Sequence, residues 1–299
     1  MRLIAASGHT AISLTRRAER PGDVAIGDLA AAGIREIPAC DALVHLAGRA
    51  HVMNEEGGEA LAAYRNVNVI GTLCLLRAAL EAGTRRFVFV STIKVLGEQT
   101  APGVPFTTNA VPSPADPYAV SKWEAEQAVT RFCTDHNIEW SIVRPVLVFG
   151  PQVKANFAQL MRLVLRGIPL PLASIANLRS FAFVDNLSAF LLEACYAEAS
   201  QGRALNFADA PAVSTPQLIH SMAHALGVQP RLFACPPPVL ELAAGIGGRG
   251  EAARRLTRSL QVDTAELSAI TCWHAPVPFE RALEITANWL SEPAAKLTV

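Results

Sequence analysis

The chain has 299 residues, 51% hydrophobic and 17% charged, which is enough apolar mass for a large core and too little charge for a disordered chain. Its 26 Lys and Arg balance 26 Asp and Glu, so no long-range field draws in nucleic acid or anionic lipid. No run reaches the ~18 apolar residues of a membrane span, and residues 1–14 lack a signal-peptide core; the sequence reads as cytoplasmic, with no nucleic-acid or membrane partner.

Residues 2–7 read as the tail of a helix capped by Gly8. Residues 11–14 form a short strand ending in Thr15-Arg16-Arg17. A second strand, 23–26, ends in Gly27-Asp28-Leu29, and a third, 42–46, runs into Ala47-Gly48. Residues 59–82 have helical apolar spacing and close at Gly83. The apolar strand 87–90 leads to Ser91-Thr92, the helix 117–136 starts with a proline in its first turn, and strand 140–143 ends at Arg144-Pro145. Apolar strands alternating with helices predict a parallel sheet covered on both faces, a Rossmann-like doubly wound α/β fold. Ligands bind such sheets beyond the carboxyl ends of the strands, where Arg16, Arg17, Asp28, Gly48 and Thr92 all fall. After Gly150-Pro151 the prolines multiply and the helices shorten, predicting a smaller C-terminal substrate-binding lobe. Segments 180–184 and 204–207 read as strands that return to the main sheet. The resulting division is a dinucleotide-binding unit over 1–149 with the strands near 180–208, and a lobe over 150–179 and 209–299.

Tyr118 and Lys122 stand four apart on one helix face. A phenol with a reference pKa of roughly 10 is a poor acid–base group near neutrality, and an ammonium beside it favours the phenolate. The Thr92 hydroxyl, at a strand end, can hydrogen-bond the same substrate oxygen. The set suits moving a proton on and off a carbinol oxygen while a hydride leaves or reaches its carbon.

The glycine-rich turn that holds a dinucleotide pyrophosphate is missing. Residues 11–14 already read as the second strand, so a first strand, turn and helix of about 11 residues do not fit ahead of it. The expectation is a start at an internal methionine or a truncated chain, with a mid-sheet strand lost, stability reduced and dinucleotide binding weak.

Six cysteines have no metal-ligand spacing and read as reduced thiols, most of them buried. His45 and His51 flank a strand end, suit either core or pocket, and receive no role.

The segments His45-Leu46-Ala47-Gly48, Asn68-Val69-Ile70-Gly71-Thr72, Ser91 to Gly97, Tyr118 to Lys122, Arg144-Pro145 with Val148 to Pro151, and Arg179 through Asn186 stand in one order along the chain. Together they resemble the extended short-chain dehydrogenase/reductases, in the NAD-dependent epimerase/dehydratase group acting on nucleotide sugars. The resemblance implies Tyr118 as acid–base, Lys122 lowering its pKa and holding the nicotinamide ribose, and Thr92 as hydroxyl partner. It implies Asp28 and Leu29 at the adenine, Leu46, Ala47 and Gly48 lining the cofactor, Pro145 at the carboxamide, and Asn156 and Arg179 on the substrate diphosphate. Asp28 is equally readable as a helix N-cap, and Asn68 as a structural tie between helix and strand. Arg16 and Arg17 suit an NADP 2′-phosphate or a solvated loop, so the cofactor is NAD or NADP.

The strand-end triplet is Thr92-Ile93-Lys94, without the two carboxylates a 4,6-dehydratase of this group carries, so dehydration is discounted. What remains is an NAD(P)-dependent epimerase or reductase at C4 of a UDP-sugar, similar to a UDP-glucose 4-epimerase. The alternatives are a UDP-4-keto-6-deoxy-hexosamine 4-reductase of surface-polysaccharide synthesis and a non-catalytic nucleotide binder. Lys94 and Lys154 are readable as diphosphate or sugar contacts and equally as surface lysines. The resemblance also implies a homodimer through the helices near 59–82 and 117–136.

Overall fold

A computed structural model of the protein describes residues 4, 6–29, 34, 36–50, 58–101, 103–246 and 250–292. Strands β1 (Ser13–Thr15) and β2 (Asp23–Ala25) run parallel, Leu14 opposite Val24. Strands β3 (Ala42–His45), β4 (Arg86–Val90), β5 (Glu139–Pro145) and β8 (Arg203–Phe207) form a parallel sheet in the order β3-β4-β5-β8. Strands β6 (Leu147–Phe149) and β7 (Phe181–Phe183) pair only with each other. The helices are α1 (Gly58–Arg65), α2 (Gly71–Glu81), α3 (Pro117–Asp135), α4 (Ala155–Leu165), α5 (Val184–Glu193), α6 (Thr215–Ala225), α7 (Pro237–Ile246), α8 (Gly250–Thr257), α9 (Thr264–Thr271) and α10 (Phe279–Ser291).

The parallel α/β architecture is as expected. β4 shows the reason: in Arg-Phe-Val-Phe-Val the Phe side chains face α2 and α3, and Val88 faces the opposite layer. On one side Phe87, Phe89 and Ile142 pack with Leu75, Leu76, Val129 and Cys133. On the other, Val88, Val143, Leu205 and Phe207 pack with Phe190, Leu191 and Trp273. The C-terminal elements build a third core, in which Phe149, Met161, Phe183, Ile219, Met222 and Leu283 meet.

Four local expectations change. The helix expected over 59–82 is two helices, α1 and α2, joined by a π turn at Asn66–Ile70. Of the two returning strands, β8 joins the main sheet but β7 does not. Only Val146 separates β5 from β6, so the chain bends off the sheet and β7 follows β6. No ladder joins β1–β2 to β3 among the described residues; the two sheets meet through side chains, Leu14, Val24 and Ile26 sharing a core with Leu43. Cysteine burial is uneven: Cys133 is buried, Cys272 exposed, and the other four half-buried.

At the start of the chain Ile4 and Ala6 are helical, Gly8 has φ +79°, and the His9 N–H donates to the Ile4 carbonyl at 3.1 Å. This is a glycine-closed helix end. Arg2, Leu3 and Ala5 of that expected helix, and His51, lie outside the described residues. Among those described, no helix is long and apolar enough to cross a membrane, and no His, Cys, Asp and Glu cluster could hold a metal ion.

Candidate active site

The carboxyl ends of β3, β4 and β5 and the first turns of α3 meet at one mouth of the sheet. Asp116 starts α3: its Oδ1 accepts from the Ala119 N–H at 2.6 Å, and Pro117 fills the first helical position. This sets Tyr118 in the first turn and Lys122 one turn on. Thr92 ends the β4 segment in extended backbone, and its Oγ1 accepts from the Lys94 N–H at 3.3 Å. The Tyr118 hydroxyl is hydrogen-bonded to Thr92, and its ring lies 5.9 Å from that of Tyr64. Thr92, Tyr118 and Lys122 are thus gathered around one strand end.

Lys122 is buried. Its Nζ donates to the Val90 carbonyl at 2.7 Å and sits 3.9 Å from the centre of the Phe89 ring. Burial pushes its pKa down to about 7, against a smaller upward pull from Glu126. Burial also pushes Tyr118 up to about 12, helped by the Asp116 carboxylate, while the Thr92 hydrogen bond draws it back. The expectation that Lys122 lowers the phenol pKa is therefore not met in the cofactor-free protein. The ammonium is committed to Val90, and desolvation of the phenol dominates.

Beneath Lys122, Glu126 and Arg144 form a buried bidentate pair at 2.6–3.2 Å, locking α3 onto β5. Asn68, on the π turn, accepts from the Arg49 N–H at 2.8 Å and donates to Ser121 Oγ at 2.9 Å. It ties the loop after β3 to α3, which is the structural role expected. His45 is a core residue, its Nε2 3.0 Å from Thr72 Oγ1, and burial holds it neutral with a pKa of about 3.

Leu46, Ala47 and Gly48 are exposed at the end of β3. A Cβ on Gly48 would come within 3.2 Å of Asn68 Oδ1 and 3.9 Å of the Lys122 ammonium. Pro145 closes β5, buried. Leu29 presses on the start of α2, where a Gly71 Cβ would lie 2.9 Å from it; Asp28 beside it is exposed and starts no described helix. Arg16 and Arg17 are exposed in the bend after β1. An open ledge with an apolar side chain, a missing Cβ and an ammonium below fits the nicotinamide half of a dinucleotide. A glycine-rich cradle for its pyrophosphate is not found among the described residues.

Away from this mouth, a cleft of about 720 Å³ is lined by Gln99, Thr100, Asn177, Thr257, Arg258 and Ser259. Arg179 adjoins it, its Nη1 donating to the Arg258 carbonyl at 3.1 Å. Burial, then the neighbouring Arg255, bring Arg179 down to about 10, so it stays charged at neutrality. Asn156 sits half-buried in the first turn of α4 and Lys154 is exposed. Lys94, expected at substrate, instead pairs with Asp116 and with Glu98. Sequence reasoning missed Asp116, although Asp-Pro before a helix is a start signal. It also missed Arg258 and Gln99, for which no motif exists.

The sequence model of the NAD dependent epimerase/dehydratase family matches residues 1–208. The chain belongs to that family. It is 37% identical over 266 residues to the UDP-glucose 4-epimerase of Vibrio cholerae, covering 88% of this chain and 81% of the relative. It is 28% identical over 267 residues to the GDP-6-deoxy-D-mannose reductase of Pseudomonas aeruginosa, covering 86% and 82%. In fold it matches the structure of RMD from Pseudomonas aeruginosa complexed with NADPH, with TM-score 0.72 and 24% identity over 97% of this chain and 94% of that one. Epimerase/dehydratase family membership makes the mouth of the sheet, rather than the larger cleft alone, the place to look for chemistry.

Proposed function

We propose that the protein is an NAD(P)-dependent nucleotide-sugar epimerase or reductase acting at C4 of a UDP-sugar. The observation that carries this reading is the meeting of Thr92, Tyr118 and Lys122 at one strand end. In this reading residues 1–149, with the strands near 180–208, hold the dinucleotide, and the rest hold the nucleotide sugar. Leu46, Ala47, Gly48, Lys122 and Pro145 would hold the nicotinamide half, and Arg179 with Asn156 the substrate diphosphate. When bound, the nicotinamide supplies the hydride acceptor and donor. Tyr118 as phenolate takes the C4 hydroxyl proton as the carbinol becomes a ketone, and as phenol returns it when the ketone is reduced. Thr92 holds the same oxygen. Lys122 donates to the ribose and fixes it beside the phenol.

A reductase reading has its own support. Tyr118 is held protonated at neutrality, the form that reduction needs, and Arg16 and Arg17 stand exposed at the end of β1.

The test uses the full chain with UDP-glucose and NAD⁺, and in parallel a UDP-4-keto-6-deoxy-hexosamine with NADPH. Turnover in one arm, falling by roughly 10²–10⁴-fold in Tyr118→Phe, supports the proposal and chooses the reaction. Undiminished turnover in Tyr118→Phe overturns the role of the phenol. UDP-sugar binding without turnover in either arm favours the non-catalytic alternative.

A further inference from the structure

Lys94 touches both partners of the tyrosine. Its backbone N–H donates to Thr92 Oγ1 at 3.3 Å, and its ammonium contacts the Asp116 Oδ2. The other oxygen of the same carboxylate caps α3 two residues before Tyr118. Glu98, one turn after Lys94, shares the ammonium at 3.2 Å. The Lys94 side chain is 28% exposed and that of Asp116 30%, so the pair is half-desolvated rather than a mobile surface contact.

We propose that Lys94 is a positioning residue, neutralising the helix-capping Asp116 and thereby setting the placement and proton affinity of Tyr118. The groups facing that phenol are few: Asp116 and Lys122 on α3, Tyr64 on α1 with Arg49 over its ring, and Thr92 with Lys94 after β4. Asp116 is the carboxylate among them, and it opposes phenolate formation. Lys94 is its ion-pair partner. Without Lys94 the full carboxylate charge acts on the phenol, and the tether between the post-β4 segment and the start of α3 is cut.

The proposal rests on Tyr118 being the acid–base residue for its meaning, but its test reads Tyr118 directly. Phenolate absorbance is titrated for each variant and for the same variant carrying Tyr118→Phe; the difference isolates one tyrosine. Asn caps helices as well as Asp, so Asp116→Asn removes charge and keeps the helix start. Its Tyr118 midpoint falls by about one pH unit. Lys94→Gln raises the midpoint, Lys94→Arg leaves it near wild type, and Lys94→Gln added to Asp116→Asn changes nothing further. Equal shifts from Lys94→Gln in both backgrounds, or none in either, overturn the proposal. If Lys94→Gln does not fold, an unchanged midpoint in Asp116→Asn overturns it alone. Loss of turnover in Tyr118→Phe is a separate result and bears only on the proposed function.

Discussion

The Lys122 ammonium donates to the carbonyl of Val90, one strand inward from where a substrate would lie. It spends its charge on the sheet rather than on the phenol four residues away. A bound ribose that drew Nζ outward would trade this bond for another and bring positive charge to the Tyr118 side.

This burial has a pH signature. Lys122 falls from an ordinary 10.5 to about 7 on folding, so between those values the unfolded chain binds more protons and stability rises with pH. Lys122→Met removes the effect. Its melting temperature relative to wild type is highest at pH 6 and the gap narrows toward pH 10; a gap that stays constant or widens contradicts the assignment.

The Glu126–Arg144 pair is the second prediction. Both side chains are at most 5% exposed, so removing one strands the other's charge. Glu126→Ala costs about 3–5 kcal/mol in urea unfolding. Replacing both, as Glu126→Leu with Arg144→Met, costs less than either single change.

Gly71 predicts a steric loss. An added methyl group meets Leu29 Cβ at 2.9 Å and its backbone oxygen at 3.0 Å, and backbone cannot step aside as a side-chain tip can. Gly71→Ala lowers stability by about 1–3 kcal/mol and shifts the loop after β2. A melting temperature equal to wild type would show that the loop yields freely.

Arg179 tests the substrate end. If its guanidinium grips a diphosphate, Arg179→Gln raises KM for the nucleotide sugar roughly tenfold or more and leaves affinity for NAD(P)H alone unchanged. An equal loss for both ligands would point to damage to the fold around its bridges to Val213 and Leu260.

Much of this was legible in the sequence because local chemistry sets it. The Asp116-Pro117 start fixed where α3 begins, continuous apolar runs marked β4 and β5, and Gly8 and Gly83 marked helix ends. What escaped depends on distance in the chain. Arg144 and Glu126 are 18 residues apart and Lys94 and Asp116 are 22 apart, so no pattern announced that they pair. The direction of the Tyr118 shift escaped for a related reason. Spacing shows that Lys122 shares a helix face with the phenol, but only packing shows how much water both have lost. The separate β6–β7 ladder follows from a bend at Val146 that no residue type predicts.

The π turn at Asn66–Ile70 sets the phase of everything before it. Tyr64 and Arg65 lie upstream, one against Tyr118 and the other paired with Glu124 at 2.5 Å, while Leu75, Leu76 and Ala79 downstream face the core. One residue of helix sweeps about 100°. Dropping a single codon from 66–70 would restore ordinary winding and swing Tyr64 a quarter-turn off its neighbour. Same-length exchanges such as Val67→Ile would leave the phase alone, so this stretch constrains the gene by length more than by spelling.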